Sequence, residues 1–468
     1  MQTVATPFRL LTIAAALLLS GCASFSNDGG QDAVRELVNA RSTQPMPDVA
    51  AGATDTHIAA LLQQPLTVAG AVDIAMLNNY SLKASYAELG IAEADLVQAG
   101  RLANPVFSFG RVKNHHGGEV ERQLMVPVIG LLTMPITRKL ERRRFAQAQM
   151  RAAGDALRIA DETRRAWYGA VAAAQTAQYL EQVKTAAEAS AELARRMAEA
   201  GNWSKLQHAR EQAFYADTVA QLARARQARL AEREKLARLM GVAGTQASFT
   251  LPERLPDLPP AARRIEAAEA AAMTNRIDIL MASKELEGLA ASLGLTRATR
   301  FINLLDLSYL YNTNEEGERV RGYEVELQIP IFDWGSARVA RAEASYMQAA
   351  HRAAAIALDA RSQVRESYTG YLTAYDIARH YRDEIVPLKK RISDEQLLRY
   401  NGMLISVFEL LADAREQVAS VNAAIEAQRD FWMADSALHA AMTGSTGVQA
   451  TSSARGGAPA AASAPAQH

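Results

Sequence analysis

The 468-residue chain has a single cysteine and no excess of charge of either sign. One thiol excludes a disulfide or a cysteine-based metal site within one chain. The 51 Lys and Arg residues equal the 51 Asp and Glu residues in number, and basic side chains are dispersed among acidic ones. We therefore expect no electrostatic attraction to nucleic acid or to anionic lipid.

The sequence also lacks the residue spacings of a catalytic or cofactor site. Its His residues are scattered, apart from the adjacent pair His115-His116, and there is neither a phosphate-binding Gly loop nor a helix-borne metal pair. The pair could bind a metal weakly, although an exposed loop pair is the more ordinary interpretation. We predict that the protein is not an enzyme and that it has no cofactor and no metal site.

Only one long apolar run occurs, Leu10–Leu19 after Arg9, and it is too short to span a bilayer. It predicts a secretory signal peptide over residues 1–21. The segment Leu19-Ser20-Gly21-Cys22 resembles the lipobox of bacterial lipoproteins. That resemblance implies cleavage before Cys22 and acylation of its thiol, and Ala23 in place of an Asp implies sorting to the outer membrane. An incidental Cys after an ordinary signal peptide is the alternative.

Aromatic residues are few, at 6%, and much of the 49% hydrophobic content is Ala, which favours closely packed helices over a globular core. The pattern is clearest from Tyr323 to Gly402. Apolar residues alternate with polar ones up to Ile329, which predicts a strand. A helical pattern then runs from about Ala337 to Arg399, or about 90 Å. Its predicted packing seam comprises Met347, Ala350, Ala354, Ala357, Arg361, Val364, Tyr368, Tyr371 and Tyr375.

The same order of features occurs about 200 residues earlier, which indicates a tandem duplication. Met134-Pro135-Ile136 corresponds to Ile329-Pro330-Ile331, Gly201 to Gly402, and Ala209–Gln212 is repeated as Ala414–Gln417. The predicted organisation is a lipidated, largely extended leader over 22–66, a first repeat over 67–245, a linker over 246–260, a second repeat over 261–442, and a disordered tail over 443–468.

Each repeat opens with two short helices in line, predicted near 67–78 and 82–102 and again over 261–274 and 277–299. A hairpin follows in each repeat, with strands over 105–113 and 120–133, and over 305–312 and 323–329. Strands of about ten alternating, aromatic-bearing residues are typical of membrane barrels. An open sheet leaves two bare edges, which lipid does not tolerate, so other copies of the chain must close it.

These features together resemble the TolC-type outer-membrane efflux channels over about Thr67 to Met442. The most specific segments are Ile329–Gly335 before the long helix, and Tyr400-Asn401-Gly402 with Leu410–Arg415 after it. Thr137–Leu140 departs from the pattern at the corresponding corner of the first repeat. The resemblance implies a mainly α-helical protomer with membrane β-hairpins, three of which form a 12-stranded β-barrel continued by a periplasmic α-barrel. It also implies a passive conduit that works with a periplasmic adaptor and an inner-membrane pump.

The turns between the long helices and their returning partners carry the candidate contact residues. By the resemblance, these tips meet the adaptor through Gly201, Asn202 and Trp203, and through Gly402, Met403 and Leu404. Equally, the apolar side chains could hold the tip's own helices together.

Glu409 and Asp413 are four residues apart on one helix face. Three copies would form a ring of carboxylates, a periplasmic gate paired with Arg399 or Arg415. A solvated helix face is the alternative.

A second function from another class is a periplasmic coiled-coil adaptor lipoprotein. Adaptors carry one helical hairpin within compact β domains, whereas this chain has a duplicated hairpin with barrel-like strands before each long helix. The sequence favours the channel.

Overall fold

The computed structural model describes residues 24–49, 52–114, 117–298, 305–313, 319–327 and 331–445. Cys22 and His115-His116 lie outside this part of the chain. The described residues form two compact units: 24–36, 85–152 and 279–356 in the first, and 37–84, 153–278 and 357–445 in the second.

Helices dominate both repeats. In the first repeat and the segment before it, the helices are α1 (Gln31–Asn39), α2 (Thr54–Leu62), α3 (Val68–Asn78), α4 (Tyr80–Ala99), α5 (Val128–Glu199) and α6 (Lys205–Met240). In the second repeat they are α7 (Ala268–Asn275), α8 (Ile277–Ala298), α9 (Ser336–His380), α10 (Val386–Asn401) and α11 (Val407–Thr443). None of the described helices has an apolar stretch long enough to cross a bilayer.

The leader over 22–66 is not largely extended, because it contains α1 and α2. Helix α1 buries Val34 and Val38, four residues apart, and α2 buries Ile58. Each helix has nine residues, too few for a sustained period to stand out in the sequence.

Four antiparallel strands form one sheet in the order β1-β2-β3-β4: β1 (Val106–Asn114), β2 (Gly117–Pro127), β3 (Leu305–Thr313) and β4 (Arg319–Leu327). The prediction that β2 continues to Thr133 was wrong, since α5 begins at Val128 and contains Pro135. Pro127 has no N–H to donate to a ladder, which suits the end of a strand. Pro330, the predicted counterpart of Pro135, lies outside the described residues. Strand β4 begins earlier than predicted, at Arg319.

The long helix of the second repeat runs close to its predicted ends, with one interruption. Between α9 and α10, Tyr381–Ile385 form a turn of π-helix in which the Val386 N–H donates to the Tyr381 carbonyl. Pro387 follows at the start of α10. A proline clashes with the carbonyl four residues before it, and a π-turn relieves this clash without ending the helix.

The helix predicted over 261–274 is shorter than expected and begins only at Ala268. Instead, tyrosine hydroxyls of α9 form hydrogen bonds with the backbone of residues that precede Ala268. Tyr371 accepts from the Arg263 N–H at 2.9 Å, and Tyr375 donates to the Pro260 carbonyl at 3.0 Å. These tertiary hydrogen bonds satisfy groups that a helix would otherwise pair.

The predicted seams differ between the two repeats. In α5, Met150, Ala153, Leu157 and Ala160 are all buried. In α9, the seam is buried at Val364, Tyr371 and Tyr375, whereas Met347, Ala354 and Arg361 are exposed in the single chain. The core of the second unit contains aromatic contacts. The Trp432 ring is stacked on the Tyr168 ring, with 5.2 Å between ring centroids, and lies edge-on to the Phe431 ring, with 5.0 Å between centroids.

Each repeat ends with a glycine that caps its last helix and packs against the break between its first two helices. Gly241 and Gly444 cap α6 and α11 in the left-handed region, and each lies against the break between the repeat's opening helices. The break residues Asn79 and Arg276 have nearly equal backbone angles, with φ of −63° and −64°. The end of α11 at Thr443 and the burial of Ser445 show that the predicted disordered tail begins with ordered residues.

Candidate functional site

One face of the sheet is apolar and open to its surroundings. Register places Phe107, Leu124, Tyr309 and Tyr323 in one row across the strands, and Val126, Leu307 and Val325 in the next. Every one of these side chains is exposed, Tyr323 by 82%. We call this surface the apolar face. Such exposed apolar rows mark a surface that meets lipid or another protein.

The opposite face of the sheet is polar. Ser108 donates to Gln123 at 3.5 Å, and Gln123 donates to Glu324 at 3.3 Å. Asp306 and Glu326 are cross-strand neighbours on the same face. We call it the polar face. One polar and one apolar face, alternating along each strand, is the pattern of a barrel wall between water and lipid.

The sheet has two unpaired edges, because β1 and β4 each pair with a single strand among those described. Backbone N–H and C=O groups on an unpaired edge need a partner wherever water is absent. The sheet is therefore complete only when another strand meets each edge.

The first tip is a tight turn between α5 and α6. The Asn202 N–H donates to the Met197 carbonyl at 2.9 Å, with Gly201 in the left-handed region. Ser204 and Gln207 form a capping box that starts α6. Trp203 is half-buried, which suits a side chain that holds the tip together.

The second tip repeats this geometry one residue out of the predicted alignment. The Leu404 N–H donates to the Arg399 carbonyl at 2.9 Å, and Met403, rather than Gly402, takes the left-handed conformation with φ of 57°. The structural equivalent of Gly201 is therefore Met403, and the predicted correspondence of Gly201 with Gly402 was wrong. Met403 is 93% exposed and Leu404 is 77% exposed.

A buried carboxylate that the sequence analysis missed lies behind the tips in the second unit. Glu211 of α6 is fully buried, accepts a hydrogen bond from Ser190 of α5 at 2.8 Å, and forms an ion pair with Arg415 of α11. The Arg415 guanidinium also lies over the Phe214 ring at 4.9 Å. A buried charge requires such partners. The repetition of Ala209–Gln212 in the sequence drew attention to this segment, but it did not indicate that Glu211 pairs with Arg415.

The predicted gate residues have different surroundings. Glu409 accepts from the Ser406 N–H at 3.0 Å and completes a capping box, so its carboxylate serves the helix start. Asp413 is half-buried, and one of its oxygens has no hydrogen-bond partner among the described residues. Within one chain, the Arg399 and Arg415 side chains pair with Glu395 and Glu211. Their pairing with the gate carboxylates in a ring of three copies stays a prediction.

Near the first tip, Glu192 accepts hydrogen bonds from Arg195 and Arg196. These bonds lower the pKa of this exposed carboxyl to about 2. Within the described residues, no group of three His, Cys, Asp or Glu side chains is placed to hold a metal ion.

Several solved structures share this fold. The outer membrane channel CmeC of Campylobacter jejuni is 16% identical, with a TM-score of 0.70 over 87% of this chain and 91% of that chain. The MtrE channel of Neisseria gonorrhoeae, in its open state, is 17% identical, with a TM-score of 0.66 over 80% of this chain and 88% of that chain. CusC is 15% identical, with a TM-score of 0.66 over 86% of this chain and 98% of that chain.

No family model and no curated protein matches the sequence. All three of these solved structures are of channels. The described strand and helix order, with its two hairpins and two long helix pairs, is the order that the resemblance implied. The chain has the fold of the TolC-type outer-membrane efflux channels.

Proposed function

We propose that this protein is the outer-membrane channel of a tripartite export system. It would be a passive conduit for substrates delivered by an inner-membrane pump through a periplasmic adaptor. The observation that carries the proposal is the sheet, with one exposed apolar face, one polar face and two unpaired edges. In a soluble monomer this surface would promote aggregation, whereas in a membrane barrel each property is required.

Closure by three copies would give a 12-stranded barrel, since each chain supplies four strands. With the order β1-β2-β3-β4 and antiparallel pairing throughout, β4 of one copy can meet β1 of the next in an antiparallel manner. The polar face would line the passage, and the apolar face would meet the lipid. The long helices would continue the conduit as a periplasmic α-barrel.

The adaptor would contact the two tips, at Gly201, Asn202 and Trp203 and at Gly402, Met403 and Leu404. The exposure of Met403 and Leu404 supports this role most directly. Trp203, being half-buried, contributes more to the shape of the tip.

Glu409 and Asp413 would form the periplasmic gate. Asp413 is the stronger candidate, because its unpartnered carboxylate oxygen would need a cation or a donor from a neighbouring copy. Single-channel recordings of Glu409→Gln and Asp413→Asn test the gate. We expect Asp413→Asn to weaken cation preference and divalent block, and unchanged values in both variants would remove these carboxylates from the pore.

Acylation of Cys22 would anchor each chain to the outer membrane. The barrel itself spans the bilayer, so Cys22→Ser should abolish labelling with palmitate yet leave a folded trimer. Labelling that persisted in the variant would refute the lipidation site.

The proposal as a whole is tested by membrane fractionation and heat-modified electrophoresis of the full chain. We expect an outer-membrane protein that migrates as a trimer until it is heated and that conducts ions in planar bilayers. Recovery with the inner membrane, without a heat-modifiable trimer, would favour the adaptor lipoprotein instead.

A further inference from the structure

The charges of the sheet are separated by face, although the whole chain has none in excess. Among strand residues whose side chains the structure describes, all Arg residues lie on the apolar face and all Asp and Glu residues lie on the polar face. The basic set comprises Arg111, Arg122, Arg319 and Arg321. The acidic set comprises Glu121, Asp306, Glu324 and Glu326. The balance of charge along the sequence hides this arrangement.

The four Arg residues occupy the part of the apolar face nearest the hairpin ends. Arg122 and Arg321 share a row with Phe109 and Tyr311, next to the row of Tyr309 and Tyr323. Arg111 and Arg319 lie one row further towards the hairpin ends. Rows are about 7 Å apart and strands about 5 Å apart, so the four Cα atoms fall within about 20 Å.

None of these guanidinium groups forms an ion pair with a carboxylate on a residue whose side chain the structure describes. Arg122 and Arg321 flank the Tyr311 ring, at 5.7 and 5.6 Å from its centroid. Arg122 also reaches the Thr313 hydroxyl at 3.5 Å. Tyr311 therefore holds two guanidinium groups at the sheet without neutralising them.

An Arg on the lipid-facing side of a barrel is strongly destabilising at the bilayer midplane and costs little near the interface. Four of them in adjoining rows therefore place this end of the apolar face at the level of the lipid headgroups. Guanidinium forks bind phosphate oxygens in pairs, and this preference is strongest for a phosphate group that presents several free oxygens.

We propose that Arg111, Arg122, Arg319 and Arg321 form a binding site for the phosphate monoester groups of a membrane lipid headgroup. The site rests on the proposed function, because it requires the apolar face to meet lipid. Each copy would carry one such site on the outside of the barrel. The aromatic rows next to the site would contact the acyl chains, and the phosphates would balance the charge of the guanidinium groups.

The test uses the full-length trimer in phosphatidylcholine vesicles that contain either bisphosphorylated lipid A or enzymatically dephosphorylated lipid A. Mass spectrometry measures the lipid A retained per trimer, and heat-modified electrophoresis measures the temperature at which the trimer dissociates. The test variant replaces all four Arg residues with Gln, and a milder variant carries only Arg111→Gln and Arg319→Gln. The matched control neutralises the same number of charges on the opposite face of the same sheet: Glu121→Gln, Asp306→Asn, Glu324→Gln and Glu326→Gln.

For wild type and the matched control, we expect about tenfold more phosphorylated than dephosphorylated lipid A per trimer, and a higher dissociation temperature with the phosphorylated lipid. The fourfold Arg variant should lose both effects, and the milder variant should lose part of them. Adding free inorganic phosphate to vesicles with dephosphorylated lipid should not restore the higher temperature, because the acyl chains hold the headgroup at the site.

Equal retention of both lipids by the wild-type trimer would overturn this site and leave the channel intact. Full retention by the fourfold Arg variant would do the same. Restoration by inorganic phosphate would replace the lipid with a soluble anion. If the wild type forms neither a heat-modifiable trimer nor a conducting channel, the proposed function fails together with the site.

Discussion

At the residue scale, Glu211 near the tips is a charged side chain in a buried environment, and it depends on its partners. Its carboxylate is fully buried, and Ser190 and Arg415 from two other helices are its partners. The burial of a charge is tolerated only while the partner is present. This side chain therefore makes α5, α6 and α11 depend on one another.

Glu211→Leu should lower the free energy of unfolding by about 3 to 5 kcal/mol, because it leaves Arg415 without its carboxylate. The double variant Glu211→Leu with Arg415→Leu should be more stable than Glu211→Leu alone. Thermal unfolding followed by circular dichroism measures both. The control is Glu416→Leu, which removes an exposed pair with Lys389 and should have little effect. A double variant no better than the single one would mean that the pair is not coupled.

Tyr168 provides a test of burial by pH. Burial raises the pKa of its phenol to about 12 from the ordinary 10.0. Because the folded state favours the neutral phenol, its stabilising contribution is complete below pH 10 and is lost as the pH rises through about 12.

Absorbance titration of phenolate should therefore lose one late-ionising group in Tyr168→Phe, a substitution that keeps the ring on Trp432. The control is Tyr80→Phe, which removes an exposed phenol instead of a buried one. If the two difference spectra coincide, Tyr168 is not buried as described.

At the scale of the elements, each repeat is closed by a glycine against the break between two helices. A Cβ atom at Gly444 would lie 2.4 Å from an Asp278 carboxylate oxygen and 3.1 Å from the Arg276 Cβ. At Gly241 it would lie 2.5 Å from the Asn78 carbonyl oxygen. Both positions also have a left-handed backbone, with φ of 77° and 67°.

Gly444→Ala and Gly241→Ala should each destabilise the protein by more than about 2 kcal/mol, since crowding adds to backbone strain. Gly294→Ala is the control within α8, where an added Cβ meets nothing within 4 Å. There Ala should be neutral or stabilising by up to about 1 kcal/mol. Melting temperatures distinguish these outcomes, and similar values for all three variants would argue against the close approach.

At the second tip, the effect of a substitution on stability can be distinguished from its effect on function. Met403 is held in a left-handed conformation that costs a residue other than Gly about 1 to 2 kcal/mol. Met403→Gly should therefore keep or raise the melting temperature, while it removes the most exposed apolar side chain of the tip.

If the adaptor binds this side chain, export by Met403→Gly cells should fall although the trimer is stable. Leu404→Ser should also reduce export. It should not raise the melting temperature, because Leu404 is not in the left-handed conformation. Unchanged export in both variants, with a normal amount of trimer in the membrane, would show that the adaptor contacts other residues.

At the scale of the whole molecule, a single chain leaves surfaces that only assembly would cover. Ala354 lies on the predicted seam of α9 and is exposed, whereas Ala360 on the same helix is buried. Small residues favour close helix approach, so an exposed Ala on a long seam suggests contact with another copy.

Ala354→Phe should reduce the yield and heat stability of the trimer while the helical content of the chain is preserved. Ala360→Phe should instead destabilise the chain itself, by about 1 to 3 kcal/mol, through overpacking. Heat-modified electrophoresis and circular dichroism separate the two effects. A normal trimer in the Ala354 variant would place this face in solvent.

The sequence by itself determined the features that depend on neighbouring residues. The strand alternation, the long helices, the helix break near Asn79 and its repeat at Arg276, and the tandem order follow from local periodicity. These patterns sufficed to predict the fold and, through the resemblance, the matched channels. The short helices α1 and α2 were missed because few residues carry their pattern.

Only the tertiary structure decided which distant residues meet. Glu211 and Arg415 come from different repeats, and the segments that contain them have nearly the same letters, so similarity could not name the pairing. The late start of α7 depends on hydroxyls of α9, and the equivalence of Gly201 with Met403 depends on hydrogen bonds within each tip. The separation of Arg from Asp and Glu emerged only from the register of four strands, because a side chain's face is defined by its cross-strand neighbours.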